Sequence, residues 1–204
     1  MMKALLIVPL SLFALKLKTG KYIYSPLVTL SCCLISLFSR LEAQWLVCAG
    51  YLFSVIGDFF LAHKSIHKNS YLFGIAGFFF AHACFLSYTL VHFQLSIMTA
   101  IVSALLLIPY GAYAFRCLLP ALSGIAMRIA VTVYMLISIA VFSCSFSMNV
   151  PALNKYVYLS GIGMILFSDT VISFSDFLGY RKWDKWILPT YYLCHILVCA
   201  SVII

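Results

Sequence analysis

Apolar residues along this chain run in eight long stretches, at 3–17, 22–39, 43–63, 70–92, 95–115, 120–147, 155–178 and 186–204. None alternates with period two, as a lipid-facing barrel strand would. A bilayer-crossing helix needs about 20 apolar residues. The pattern therefore predicts about eight transmembrane helices that use up nearly the whole chain. Their connections are short: Gly20, Arg40 to Glu42, Lys64 to Asn69, Pro120, Pro151 and Tyr180 to Lys185. No internal repeat or low-complexity tract separates one half from the other, so residues 1–204 read as one all-α, polytopic membrane helix bundle.

Composition excludes the soluble alternative. The chain is 65% hydrophobic and 9% charged, where a soluble domain carries about a quarter charged residues. Residues 4–15, behind Lys3, have the look of a secretory leader core. They lack a small-x-small cleavage site and run into Lys16, Lys18 and Lys21, so a short retained first span is expected.

Thirteen Lys and Arg against five Asp and Glu give a net charge of +8. The cations are scattered singly in loops, so they signal membrane orientation and no nucleic-acid partner. The odd connections hold Lys16, Lys18, Lys21, Lys64, Lys68, Arg116, Arg181, Lys182 and Lys185; the even side holds Lys3, Arg40 and Lys155. Nine against three places the odd connections in the cytoplasm and both termini outside. The eight cysteines lie within or at the edge of apolar runs, with no CxxC pair, and read as small apolar fillers.

Charged groups inside a span are costly and mark function by default. Asp58, Asp169 and Arg128 stand out. Asp58 lies six residues before Lys64, about 9 Å from that helix end, and Asp169 twelve before Arg181. His82, Tyr191, Tyr192 and His195 fall in the same half or near the midplane. A polar pocket open toward the cytoplasm is expected. Asp176, Asp184 and Glu42 read as solvated or interfacial charges. Two carboxyls at one depth would repel if both were ionised, so one is expected to keep its proton, putting an acid and a base together. No GxSxG, HExxH, Walker or GxGxxG motif occurs, and no His/Cys cluster has metal-ligand spacing.

Several of these residues sit in recognisable patterns. The run Ser54-Val55-Ile56-Gly57-Asp58-Phe59-Phe60-Leu61 resembles Ser-x-x-Gly-Asp-x-x-Leu of the lysoplasmalogenases of the YhhN type. Gly74, Phe78 and His82 follow its Gly-x3-Phe-x3-His pattern. Tyr134-Met135, Phe167-Ser168-Asp169 and Tyr191-Tyr192 are similar to later motifs in order. Three positions depart: Ser25-Pro26-Leu27 stands where Lys-Pro-Leu is usual, Phe85 replaces a tyrosine, and His195 a glutamine.

The resemblance implies hydrolysis of the vinyl ether bond of a lysophospholipid, a lysoplasmalogen, to a fatty aldehyde and glycerophospho-ethanolamine or -choline. Asp58 and Asp169 would be the catalytic pair. His82, Arg128, Tyr134, Tyr191, Tyr192, His195 and Lys64 would bind substrate, with Arg128, Lys64 and Lys68 as phosphate contacts. No metal or organic cofactor is called for. A small proton- or cation-coupled transporter is the alternative, using the same aspartates. An intramembrane aspartyl protease would require Gly-x-Gly-Asp, and Val55 occupies the first glycine's place.

The charge bias makes a direct prediction. Reporter fusions should place Ile204 outside and the 64–69 connection in the cytoplasm; a cytoplasmic Ile204 would refute the eight-span count.

Overall fold

Hydrocarbon offers backbone amides no hydrogen-bond partner, so a chain this apolar must satisfy them within helices. The computed structural model, which describes residues 2–39, 42–63 and 69–204, has that form. A 3-10 turn over Met2–Leu6 leads into α1 (Ile7–Thr19), followed by α2 (Tyr24–Ser36), α3 (Gln44–Ala62) and α4 (Ser70–Val91). Then come α5 (Ile97–Ala121), α6 (Ile125–Ser145), α7 (Ala152–Leu178) and, after a 3-10 turn at Arg181–Trp186, α8 (Ile187–Ile203). Among the described residues there is no β-strand, only one isolated bridge, Phe93 with Met148.

Among the described residues six segments are long and apolar enough to cross a membrane: α3 to α7, and α8 together with the 3-10 turn before it, Arg181–Ile203. The chain is an integral membrane protein. At 13 residues each, α1 and α2 extend only about 20 Å, short of the ~30 Å hydrocarbon core. Six of the eight expected crossings are thus met on length and composition. A second difference concerns the break expected at Pro120. α5 runs on through a π-turn at Ala114–Leu118, and Pro120 sits harmlessly near the start of its last short turn. The chain breaks instead at Gly124, whose φ of +83° an L side chain rarely adopts.

α3 packs most intimately on α4, and α7 on α8; α2 lies against α3 and α8, and α6 against α4 and α7. α5 stays outside this core, and no residue of Ile97–Tyr113 is buried. It is held through Tyr110 to Thr170 at 2.6 Å and Tyr113 to Ser173 at 2.8 Å on α7. Five cysteines, Cys32, Cys33, Cys48, Cys194 and Cys199, are buried in the core as free thiols. Because apolar burial cannot drive helices together in lipid, close packing and hydrogen bonds must. At the end bearing the even connections, Asn154 Nδ2 donates to Ser201 O at 2.7 Å, the Ser39 hydroxyl to Val202 O, and Tyr158 Oη to Phe85 O at 3.1 Å.

The α3–α4 contact depends on glycine. A Cβ on Gly77 would stand 2.8 Å from Gly57 N and 2.9 Å from Gly57 Cα, and backbone cannot yield as a side chain can. Gly77→Ala should therefore lower thermal stability in detergent by about 1–3 kcal/mol, the scale of core overpacking. Gly111→Ala, with nothing within 4 Å of its added carbon, should be neutral or raise stability by up to about 1 kcal/mol. Equal melting shifts for the two would refute the close crossing.

Candidate active site

A cavity of about 460 Å³ opens at the end of the bundle that carries the odd connections. That lies within the roughly 300–1,000 Å³ of small-molecule sites. Asp58 and Asp169 both line it. Asp58 sits one turn from the end of α3, and Asp169 nine residues before the end of α7. The helices run up and down, so the C-terminal turns of α3 and α7 meet the N-terminal turns of α4 and α8 at this end. Tyr71 and Phe78 of α4 and Tyr191 and Tyr192 of α8 complete those walls, and Tyr134 comes from α6.

Asp169 accepts one hydrogen bond and is flanked by a histidine that makes none to it. Tyr134 Oη donates to its Oδ2 at 2.6 Å. His82 Nε2 stands 3.8 Å from the same oxygen. His82 is fully buried behind the cavity wall, and its Nδ1 lies 2.9 Å from the Phe78 carbonyl one turn earlier. A carbonyl can only accept, so that nitrogen carries the hydrogen and donates, leaving Nε2 turned to the carboxyl. The Tyr134 ring packs edge-on against His82 at 4.9 Å, fixing both.

Asp58 has a different setting. Its Oδ2 is buried with no hydrogen-bond partner among the described residues. The Tyr191 hydroxyl faces the Asp58 carboxyl, without well-formed hydrogen-bond geometry to it or to any other described residue. The cation whose field reaches Asp58 is Lys16, on the last turn of α1. Lys16 is buried, and its Nζ donates to the carbonyls of Gly20 and Lys21, each at 3.3 Å. Tyr22, in the connection after α1, has its phenol raised above the ordinary value by partial burial and then by the Asp58 charge.

Two expected site residues lie elsewhere. Arg128 does not line the cavity. α6 begins at Ile125, so Arg128 falls in its first turn, where its Nε donates to Leu122 O at 3.1 Å. Its surroundings are a separate shallow depression beside Leu119 and Ile129. His195 is fully buried behind Tyr191, whose ring is 4.5 Å away, and neither ring nitrogen has a partner among the described residues. It is packed beneath the site and does not line it. Lys64 and Lys68 lie outside the described residues.

The structure adds groups that sequence reasoning set aside. Asp176 and Asp184, expected as solvated or interfacial charges, both line the cavity; Asp176 is exposed as expected, with Tyr71 Oη donating to its Oδ2 at 3.0 Å, and Asp184 is half-buried. Lys16 faces the cavity while its neighbours Lys18 and Lys21 are exposed. Nothing in their linear order distinguishes the three. Ser25, at the position where the family pattern has lysine, lines the same cavity, and Phe85 is buried away from it. No group of three or more His, Cys, Asp or Glu side chains able to hold a metal occurs among the described residues.

Comparison with known proteins gives one result. The sequence profile described as the YhhN family matches residues 1–202, essentially the whole chain. No curated protein and no solved structure matches it.

Proposed function

The chain belongs to the YhhN family, the lysoplasmalogenase family, and from that premise we propose that it hydrolyses the vinyl ether bond of lysoplasmalogens with Asp58 and Asp169 as its acid and base. The observation that carries this reading is the convergence on one cavity of two carboxyls from within spans, Asp58 of α3 and Asp169 of α7, while its other two acids, Asp176 and Asp184, lie at the end of α7 and in the turn beyond.

A vinyl ether is cleaved through its carbon. A proton added to the alkenyl carbon remote from oxygen leaves an oxocarbenium ion. Water adds to the cationic carbon, and the resulting hemiacetal collapses to a fatty aldehyde and the free glycerol hydroxyl. The sum is substrate plus one water, with nothing oxidised or reduced. The chemistry therefore needs a proton donor on one side and an anion on the other.

The hydrogen bonds suggest the division of labour. Asp169 receives the Tyr134 hydroxyl and so suits the ionised partner, which stabilises the cation and orients the water. Asp58, with no donor on Oδ2 among the described residues, suits the acid that gives the proton. Tyr191 faces Asp58 and is placed to hold the ether end of the substrate. Apolar wall residues such as Ile75 and Phe78 would take the start of the chain.

Asp58→Asn and Asp169→Asn should each lower aldehyde release in detergent by at least about 100-fold, the lower range for a positioned acid or base. The double variant should be scarcely worse than either, because groups acting as a unit are non-additive. Carried out in D2O, the reaction should leave one deuterium on the carbon next to the aldehyde, and the saturated alkyl ether should be inert. A folded Asp169→Asn protein with near-normal turnover would overturn the assignment.

Tyr134→Phe removes the donor to Asp169 but keeps the ring against His82. A hydrogen bond to a charged group is worth about 1.5–3 kcal/mol, so kcat should fall roughly 10- to 100-fold with little change in KM. An unchanged kcat would show that Tyr134 only packs.

A further inference from the structure

An ammonium inside a membrane protein ordinarily sits against a carboxylate. Lys16 does not. It is only 8% exposed, yet among the described residues it forms no ion pair, although four aspartates line the same cavity. Two of its three hydrogens go to the Gly20 and Lys21 carbonyls at a long 3.3 Å. One remains for whatever enters. On the 3-10 turn before α8, Asp184 presents the complement, a buried Oδ1 with no hydrogen-bond partner among the described residues. A cation and a carboxylate thus share one cavity, near its connection end, without meeting each other.

Such a pair fits one kind of guest. A simple anion would meet Lys16 but be opposed by the carboxylates around it. An uncharged guest would leave both groups desolvated and unpaired, which is costly at low dielectric. A guest carrying an anion and a cation on a short tether satisfies both. We propose that this part of the cavity is a headgroup site for a zwitterionic phosphodiester, with Lys16 taking the phosphate and Asp184 the ammonium.

The proposal rests on the vinyl ether reading for its geometry. In a single-chain glycerophospholipid only the three glycerol carbons separate the ether oxygen from the phosphate. The phosphate must then lie close to the reacting atoms, and Lys16 is, among the described residues, the cation whose field reaches Asp58. Asp184 lies beyond α7, on the far side of its Gly179 terminus, where the headgroup's outer end would emerge.

Binding of uncleavable ligands tests this apart from catalysis. Three saturated ether lipids of equal chain length serve as probes: a neutral alkylglycerol, an anionic alkylglycerophosphate and a zwitterionic alkylglycerophosphoethanolamine. Titrated calorimetrically onto the full-length protein in detergent, the zwitterion should bind roughly tenfold or more tighter than the other two, the factor expected of charge-assisted hydrogen bonds. Lys16→Gln should weaken both phosphate-bearing ligands about tenfold and leave the alkylglycerol unchanged. Asp184→Asn should weaken the zwitterion alone by a similar factor. Lys16→Arg should keep the wild-type preference.

Equal binding of all three probes to the wild type overturns the proposal, and that comparison stands even if Lys16→Gln does not accumulate. A uniform loss across the three in either variant also overturns it, because it marks a structural role. Aldehyde release with no headgroup preference would sink this site and leave the hydrolase reading intact. The headgroup pattern without aldehyde release would do the reverse.

Discussion

A carboxyl group in bilayer hydrocarbon has no water to solvate it, and the arrangement of this bundle turns on where two such groups are put. Asp58 is the one charged residue of α3, and Asp169 is the one charged residue of α7 away from its two ends. Facing lipid, each would cost several kcal/mol. Facing inward, they need a space that is polar, enclosed and shared. The seven helix ends around the cavity supply it, with α5 the one helix left outside.

That space exists because the two ends of the bundle are built differently. At one end, side chains and carbonyls lock the helices together through Asn154, Ser39 and Tyr158. Near the other, the close approach of α3 and α4 at Gly57 and Gly77 sets Phe78 against Gly57, directly beside Asp58 in the chain. A glycine contact of this kind fixes the axial register of two helices far more tightly than lipid-facing leucines could. Register in turn decides which turn of α4 lies beside Asp58, and so which residues, Tyr71 and Phe78 among them, share its cavity.

The two carboxyls are not equivalent, and their difference is inherited from their neighbours. Asp169 is gripped by Tyr134 and backed by His82, whose ring is oriented by a carbonyl of its own helix. Asp58 faces a phenol and the field of a lysine. One site therefore holds a fixed hydrogen-bond acceptor and an open carboxyl.

Much of this was legible in the linear order of residues. The helices follow from the lengths of the apolar runs, because a backbone in hydrocarbon has no other way to satisfy its amides. Asp58, Asp169, His82 and the paired tyrosines could be read as one pocket, because residues counted from helix ends of known direction have known depth. Depth is one coordinate of three. The facing of a side chain around its helix depends on what packs there, and helices apolar on every side carry no amphipathic stripe to reveal it. So only the tertiary structure could move Arg128 to a loop carbonyl, bury His195 beneath Tyr191, and bring Lys16, Asp176 and Asp184 into the walls of the cavity.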